Sequence, residues 1–181
     1  MTEGQNRQWC LLLAPLFEYP DAAYHEHVRY AVVGCPQAAR DQLTRFLSEV
    51  ASLPLAALEE SFIQAFDLNP DCALDIGWHL FGEDYARGEF LIKLKGEHRR
   101  YGVDERSELP DHLPAVLRLL AAMSEEEEAG RLARQFLAPA VSKIRFNFKE
   151  PLQPLACLLD ALAVCLVDAG YSPAAEEVLH E

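Results

Sequence analysis

Leu152-Gln153-Pro154-Leu155-Ala156-Cys157-Leu158-Leu159-Asp160-Ala161-Leu162-Ala163-Val164-Cys165-Leu166-Val167 is apolar almost all round a helical turn, is interrupted by Asp160, and closes on Asp168-Ala169-Gly170. A helix apolar on every side in a globular chain is a central core helix. The surrounding sequence repeats the helical spacing with narrower faces. Trp9, Leu12, Leu13 and Leu16 follow i, i+3, i+4, i+7, as do Leu43, Phe46, Leu47 and Val50. Leu55, Leu58, Phe62 and Phe66 continue the pattern after Pro54, and Leu113, Val116, Leu117 and Leu120 form a further face. Alternation of the kind a strand needs occurs only in Lys143–Lys149, which is read as a joint between two helical segments. No repeat or linker appears, so residues 1–181 are expected to form one all-α domain, a helical bundle.

Punctuation between helices is explicit. Pro15 should kink or end the first helix, Tyr19-Pro20-Asp21 makes a turn, and Gly34-Cys35-Pro36 stops a short second helix near Val33. Asp67-Leu68-Asn69-Pro70-Asp71 breaks the chain again, because a residue before proline is steered away from the helical region. Ile76–Phe81 reads as a short helix closed by Gly82. Tyr85–Tyr101 reads as a long one with Phe90, Leu91, Leu94, His98 and Tyr101 on one face and Gly102 as a left-handed cap. Gly88 lies inside that helix, where glycine costs about 1 kcal/mol relative to alanine. Its presence suits close approach by another backbone, either a neighbouring helix or a bound peptide. Ser124-Glu125-Glu126-Glu127 has the form of a capping box, Ser124 bonding forward and Glu127 back, with the glutamates otherwise solvated.

Sixteen Lys and Arg stand against 29 Asp and Glu, a formal net charge of −13. Such a chain is a poor binder of nucleic acid, whose affinity rests on cations at phosphates, and favours a partner with a basic segment. The five cysteines are odd in number and widely spaced without a C-x-x-C pair, which fits neither a disulfide framework nor zinc. Cys157 and Cys165 fall in the apolar helix as small core residues. The apolar run Cys10–Phe17 is too short to span a bilayer and lacks a basic start, so a reduced, cytoplasmic protein is expected.

The stretch least explained by packing is Glu108-Leu109-Pro110-Asp111-His112-Leu113-Pro114. Asp111 is expected to cap the helix that follows, with His112 and Leu113 in its first turn and Pro114 where a missing N–H costs little. That would fix an Asp and a His at a rigid, solvent-reachable helix entrance. No G-x-S-x-G elbow or phosphate-cradling glycine loop accompanies them. His25 and His27, two apart, point to different faces and make a poor metal pair. His79 and His98, near apolar faces, read as hydrogen-bonded structural histidines. Tyr85 and Tyr101, flanking the long helix, suit either the core edge or the lining of a groove.

Three stretches taken in order resemble one family: Phe17-Glu18-Tyr19-Pro20-Asp21; Phe62-x-x-x-Phe66-Asp67-Leu68, continuing through His79-Leu80-Phe81-Gly82 and Tyr85-Ala86-Arg87-Gly88; and Glu108–Pro114. Over roughly residues 9–170 the chain resembles the NarJ/TorD/DmsD group of molybdoenzyme assembly chaperones, closest to the nitrate reductase delta-subunit (NarJ) branch. The resemblance implies a cytoplasmic, non-catalytic redox-enzyme maturation chaperone. It would bind the N-terminal segment, or a twin-arginine leader, of an apo molybdoenzyme catalytic subunit and hold it ready for cofactor insertion. The molybdenum bis-pterin guanine dinucleotide would belong to the client; the chaperone itself is expected to carry no cofactor or metal. The expected peptide-binding surface joins Tyr85, Arg87 and Tyr101 to Glu108, Leu109, Pro110, Asp111, His112 and Pro114, with Asp67 and His79 nearby. Two rivals are a small hydrolase or nucleotide-binding switch using Asp111 and His112, and a permanent structural subunit of the reductase.

Overall fold

The computed structural model describes residues 7–104, 108–148 and 153–173. Among them the chain is helical throughout its regular structure, and the sole extended pairing is an isolated antiparallel bridge between Asp75 and His112. The first helix, α1 (Gln8–Leu13), gives way at Pro15 to a single 3₁₀ turn, Ala14–Phe17, as the proline demands. Helix α2 (Tyr24–Gly34) ends before Cys35-Pro36, and α3 (Arg40–Val50) buries Leu43, Phe46 and Val50. Helix α4 (Leu55–Phe62) opens into a wide turn, Ile63–Asp67, closed by the Leu68 N–H on the Ile63 carbonyl at 2.9 Å. That extra residue brings Phe66 against Phe62, Phe17 and Phe148, with ring centroids 5.0, 6.5 and 5.7 Å apart.

Two helices have the bounds their punctuation implies. Helix α5 (Ile76–Phe81) stops at Gly82, whose φ of +58° is open to glycine at no steric cost. Helix α6 (Tyr85–Arg100) starts at Asp84, whose carboxylate accepts the Ala86 N–H at 2.8 Å, and buries Phe90, Leu94 and His98. Helix α7 (Leu113–Ala122) buries Leu113, Val116, Leu117 and Leu120 completely, and Leu119 as well. Helix α8 (Glu126–Leu132), a wide turn at Ala133–Leu137 and α9 (Ala138–Asn147) form one continuous rod. Helix α10 (Gln153–Asp168) lies against α3 and α9, while α1 crosses α7. Leu152, placed at the start of the core helix by the sequence, lies outside the described residues. From Leu155 to Leu166 the helix is largely buried, and its last turn emerges at Val167.

Three expectations change. The Lys143–Lys149 alternation does not mark a joint, because residues 143–147 complete the last turns of α9; Lys149 lies outside the described residues. Ser124 does not cap α8: the cap position is Glu125, with no side-chain bond. Glu126 and Glu128 are drawn elsewhere, Glu126 to Arg7 and Tyr171 and Glu128 to Arg100 and Tyr101. Among the described residues Gly88 meets no neighbouring helix, since a Cβ built there finds nothing within 4 Å. All five cysteines are buried thiols, and no helix of the described residues is long and apolar enough to cross a membrane.

Candidate functional site

The Glu108–Pro114 turn docks against the entrance of α5, 34 residues earlier in the chain. The Ile76 N–H donates to the Asp111 carbonyl at 3.0 Å and the Leu113 N–H to the Leu74 carbonyl at 2.8 Å. Asp111 is wholly buried, and its Oδ2 accepts the Gly77 N–H at 3.0 Å. It therefore caps α5 and not α7, whose cap position is His112 without a side-chain bond. The residue that sequence position nominates to cap α5 is Asp75, and its carboxylate turns instead to His112: Oδ1 lies 3.2 Å from His112 Nδ1. Each aspartate thus serves the other segment's helix start. Arg87, from the first turns of α6, reaches both carboxylates, Nη2 lying 3.4 Å from Asp111 Oδ2 and 3.8 Å from Asp75 Oδ2. Its guanidinium also sits 5.8 Å from the centre of the Trp78 ring. Buried His98 holds the turn from below through Nε2 on the Pro110 carbonyl at 3.0 Å.

Gly77 makes the crossing possible. A Cβ there would stand 2.6 Å from Asp111 Oδ2 and 3.1 Å from Phe90 Cδ1, closer than packed atoms tolerate. Burial pushes the Asp111 carboxyl above its ordinary pKa, and the neighbouring Asp75 charge adds to this against Arg87 and the Gly77 bond. Asp75 moves the other way: the His112 hydrogen bond, opposed by burial and helped by Arg87, holds it below the usual carboxylate range. Two carboxylates on one arginine are thus driven apart. A lowered pKa in the folded state adds stability above the unfolded-state value and loses it as pH falls through the folded one. Asp75→Asn is therefore expected to flatten the decline of melting temperature below about pH 4, checked by thermal scans from pH 2.5 to 5. Parallel curves for the variant and the parent would refute the assignment.

Beyond Phe90, which touches the Gly77 side of this network, lies a groove of about 240 Å³ between α6 and α7–α8. Phe90, Leu94, Leu119, Met123, Leu132 and Phe136 form its floor, and Lys93, Glu97, Glu128 and Arg131 its rim. Phe90 stacks on Phe136 with centroids 4.9 Å apart. Tyr101, packed against the core, donates to Glu128 Oε2 at 3.2 Å, and Arg100 reaches the same oxygen at 2.8 Å.

The family model described as "Nitrate reductase delta subunit" matches residues 35–169. The chain belongs to the nitrate reductase delta subunit family. Curated relatives agree. The nitrate reductase molybdenum cofactor assembly chaperone NarJ of Escherichia coli K12 is 26% identical over 159 residues, covering 84% of this chain and 66% of its own length. The probable chaperone NarW of the same strain is 27% identical, covering 90% and 68%. The probable NarJ of Bacillus subtilis 168 is 28% identical, covering 76% and 74%. This delta-subunit-family chain thus spans just under two thirds of the E. coli NarJ it matches.

In this delta-subunit-family chain the residues singled out by sequence divide into two sets. Pro110, Asp111 and Pro114 are buried, so they build the turn without reaching its surface; Asp111 is not the solvent-reachable group its position implies. Glu108 and Leu109 are exposed and His112 is partly so. Asp67, exposed at the end of its wide turn, shares their neighbourhood. Partial burial raises its carboxyl pKa, nearby His112 lowers it and Glu108 raises it. Tyr85 stands in solvent at the start of α6, 84% exposed, while Tyr101 packs against the core and bonds Glu128 of the groove rim. His79 is partly buried, its Nε2 2.6 Å from the Ala73 carbonyl, and burial lowers its pKa. Asp75 and Gly77 are the members that sequence reading missed, while His98 is the hydrogen-bonded structural histidine it expected. Asp75 directly precedes an apolar helix, but nothing local tells that its carboxylate leaves that helix for His112.

Proposed function

We propose that the chain is an assembly chaperone that binds the N-terminal segment of the apo catalytic subunit of a nitrate reductase-like molybdoenzyme before its cofactor is inserted. The observation that carries this reading is the apolar-floored groove with a charged rim, whose Phe90 also lies beside Gly77 in the buried network that braces the exposed turn. A short amphipathic helix lays three or four apolar side chains into such a groove, and the rim charges set its orientation. Leu68 and Leu109, 73% and 46% exposed, extend the apolar contact around the acidic residues Asp67 and Glu108. Those carboxylates suit basic residues flanking the peptide's apolar face. Tyr85, Arg87 and His112 complete the surface, and Pro110, Asp111 and Pro114 hold it in place.

Ordering an unfolded peptide on binding consumes part of the contact energy, which gives moderate affinity and ready release. In this reading the molybdenum cofactor is cargo of the client, and the chaperone performs no chemistry. Asp111 has no access to a substrate: it is out of solvent, bonded to Gly77 and near Arg87. Among the described residues no group of three or more His, Cys, Asp or Glu is placed to hold a metal ion.

Calorimetric titration with a peptide of about 20 residues from the N-terminus of the organism's own nitrate reductase catalytic subunit is expected to give a micromolar Kd. Paired substitution of Leu109→Ser and His112→Ala should weaken it at least about five-fold, roughly 1 kcal/mol. Absence of binding to the peptide and to the apo subunit would refute the reading.

A further inference from the structure

Among the described residues the stripe of α6 around Ile92 stands exposed, and no other helix packs on its two glycines. Tyr85, Gly88, Ile92, Gly96 and Arg99 recur at helical spacing on one exposed stripe. Ile92 is 74% exposed, and Cβ atoms built at Gly88 and Gly96 meet nothing within 4 Å. Two interior glycines cost the helix about 2 kcal/mol relative to alanine, a cost that no contact at them among the described residues offsets. Acidic residues (Glu83, Asp84, Glu89) occupy the first half of the exposed surface and basic ones (Lys93, Lys95, Arg99, Arg100) the second. The helix dipole favours an acidic start and a basic end, but it accounts neither for the glycines nor for the isoleucine between them.

We propose that α6 pairs with α6 of a second copy of this chain, antiparallel, about a two-fold axis at Ile92. The register follows from the sequence. Gly88 and Gly96 are each four residues from Ile92, so a two-fold there sets every Gly88 opposite the partner's glycine at the other end, and the backbones approach closely on both sides. Ile92 meets its own copy on the axis. On one flank Glu89 and Lys93 lie within about 3 Å of each other along the axis when taken from opposite chains; on the other flank Asp84 and Arg99 differ by about 1.5 Å. Among the described residues Glu89, Lys93 and Arg99 form no ion pair within the chain. Parallel pairing would set like charges together, so charge selects the antiparallel arrangement. One helix pair falls below the area of a lasting interface, so the dimer is weak and concentration-dependent, with closed isologous symmetry.

Sedimentation equilibrium of the full chain at low salt, from micromolar to millimolar concentration, is expected to show a monomer–dimer equilibrium. Ile92→Glu should abolish it without lowering the melting temperature, because the residue is exposed. Glu89→Lys and Lys93→Glu alone should each weaken the dimer by roughly ten-fold, since symmetry repeats every change, and the two together should restore it. A monomer throughout, a dimer indifferent to Ile92→Glu, or failure of the double charge swap to restore the dimer would each overturn the proposal. Client-peptide binding plays no part in these measurements.

Discussion

Asp111→Ala is expected to lower the unfolding free energy by about 3 kcal/mol, the usual cost of removing one partner from a buried charged pair. Two groups lose a partner at once: the Gly77 N–H, an orphan donor in the first turn of α5, loses its cap, and Arg87 loses its nearer carboxylate. For a chain of this size the melting temperature should fall by roughly 6–12 °C. Asp111→Asn keeps an oxygen for Gly77 and should cost less than half as much, because burial already penalises the ionised form. The two variants together separate the capping bond from the charge. Equal melting points for Asp111→Ala and the parent protein would show that the turn does not depend on this residue.

Arg7→Ala is expected to be about as damaging, near 3 kcal/mol. Only 2% of Arg7 is exposed. It donates to the Met123 carbonyl at 2.6 Å and to the Tyr171 hydroxyl at 2.9 Å, and it pairs with Glu126. Truncation strands the buried Met123 carbonyl and leaves the buried Tyr171 hydroxyl with Glu126 alone, at the junction of α1, α7, α8 and the segment after α10. Much of the effect comes from those two acceptors, since Glu126 is nearly half exposed and retains Tyr171. Arg7→Lys preserves charge but not the fork of donors, and should recover no more than about half of the lost stability. Urea unfolding of the three proteins checks the order, with an unchanged m-value confirming that native stability is what differs.

Helix content and most helix bounds were legible because their signals are local. Pro15 breaking α1, Gly82 closing α5 and Gly102 after α6 each act on the residues beside them. The role of Asp111 was not legible for the opposite reason. Its position before an apolar run makes it a good cap for α7, and only the docking of the turn on α5 offers it a different helix start. Ser124 likewise has the local form of a cap, yet the helix begins one residue later than that form implies, with Glu125 at the cap position. Gly88 sits between these cases: the sequence posed a close approach, and the structure removes the neighbouring helix as its cause.

The hydrogen bond between Arg7 and Tyr171 closes a loop of 164 residues. A ribosome delivers Arg7 164 residues before Tyr171. Until Tyr171 emerges, α1 can pack against α7 only with its arginine incompletely matched, and the junction locks when α10 and the segment after it arrive. The packing of α1 therefore stays reversible until the chain through Tyr171 has been made.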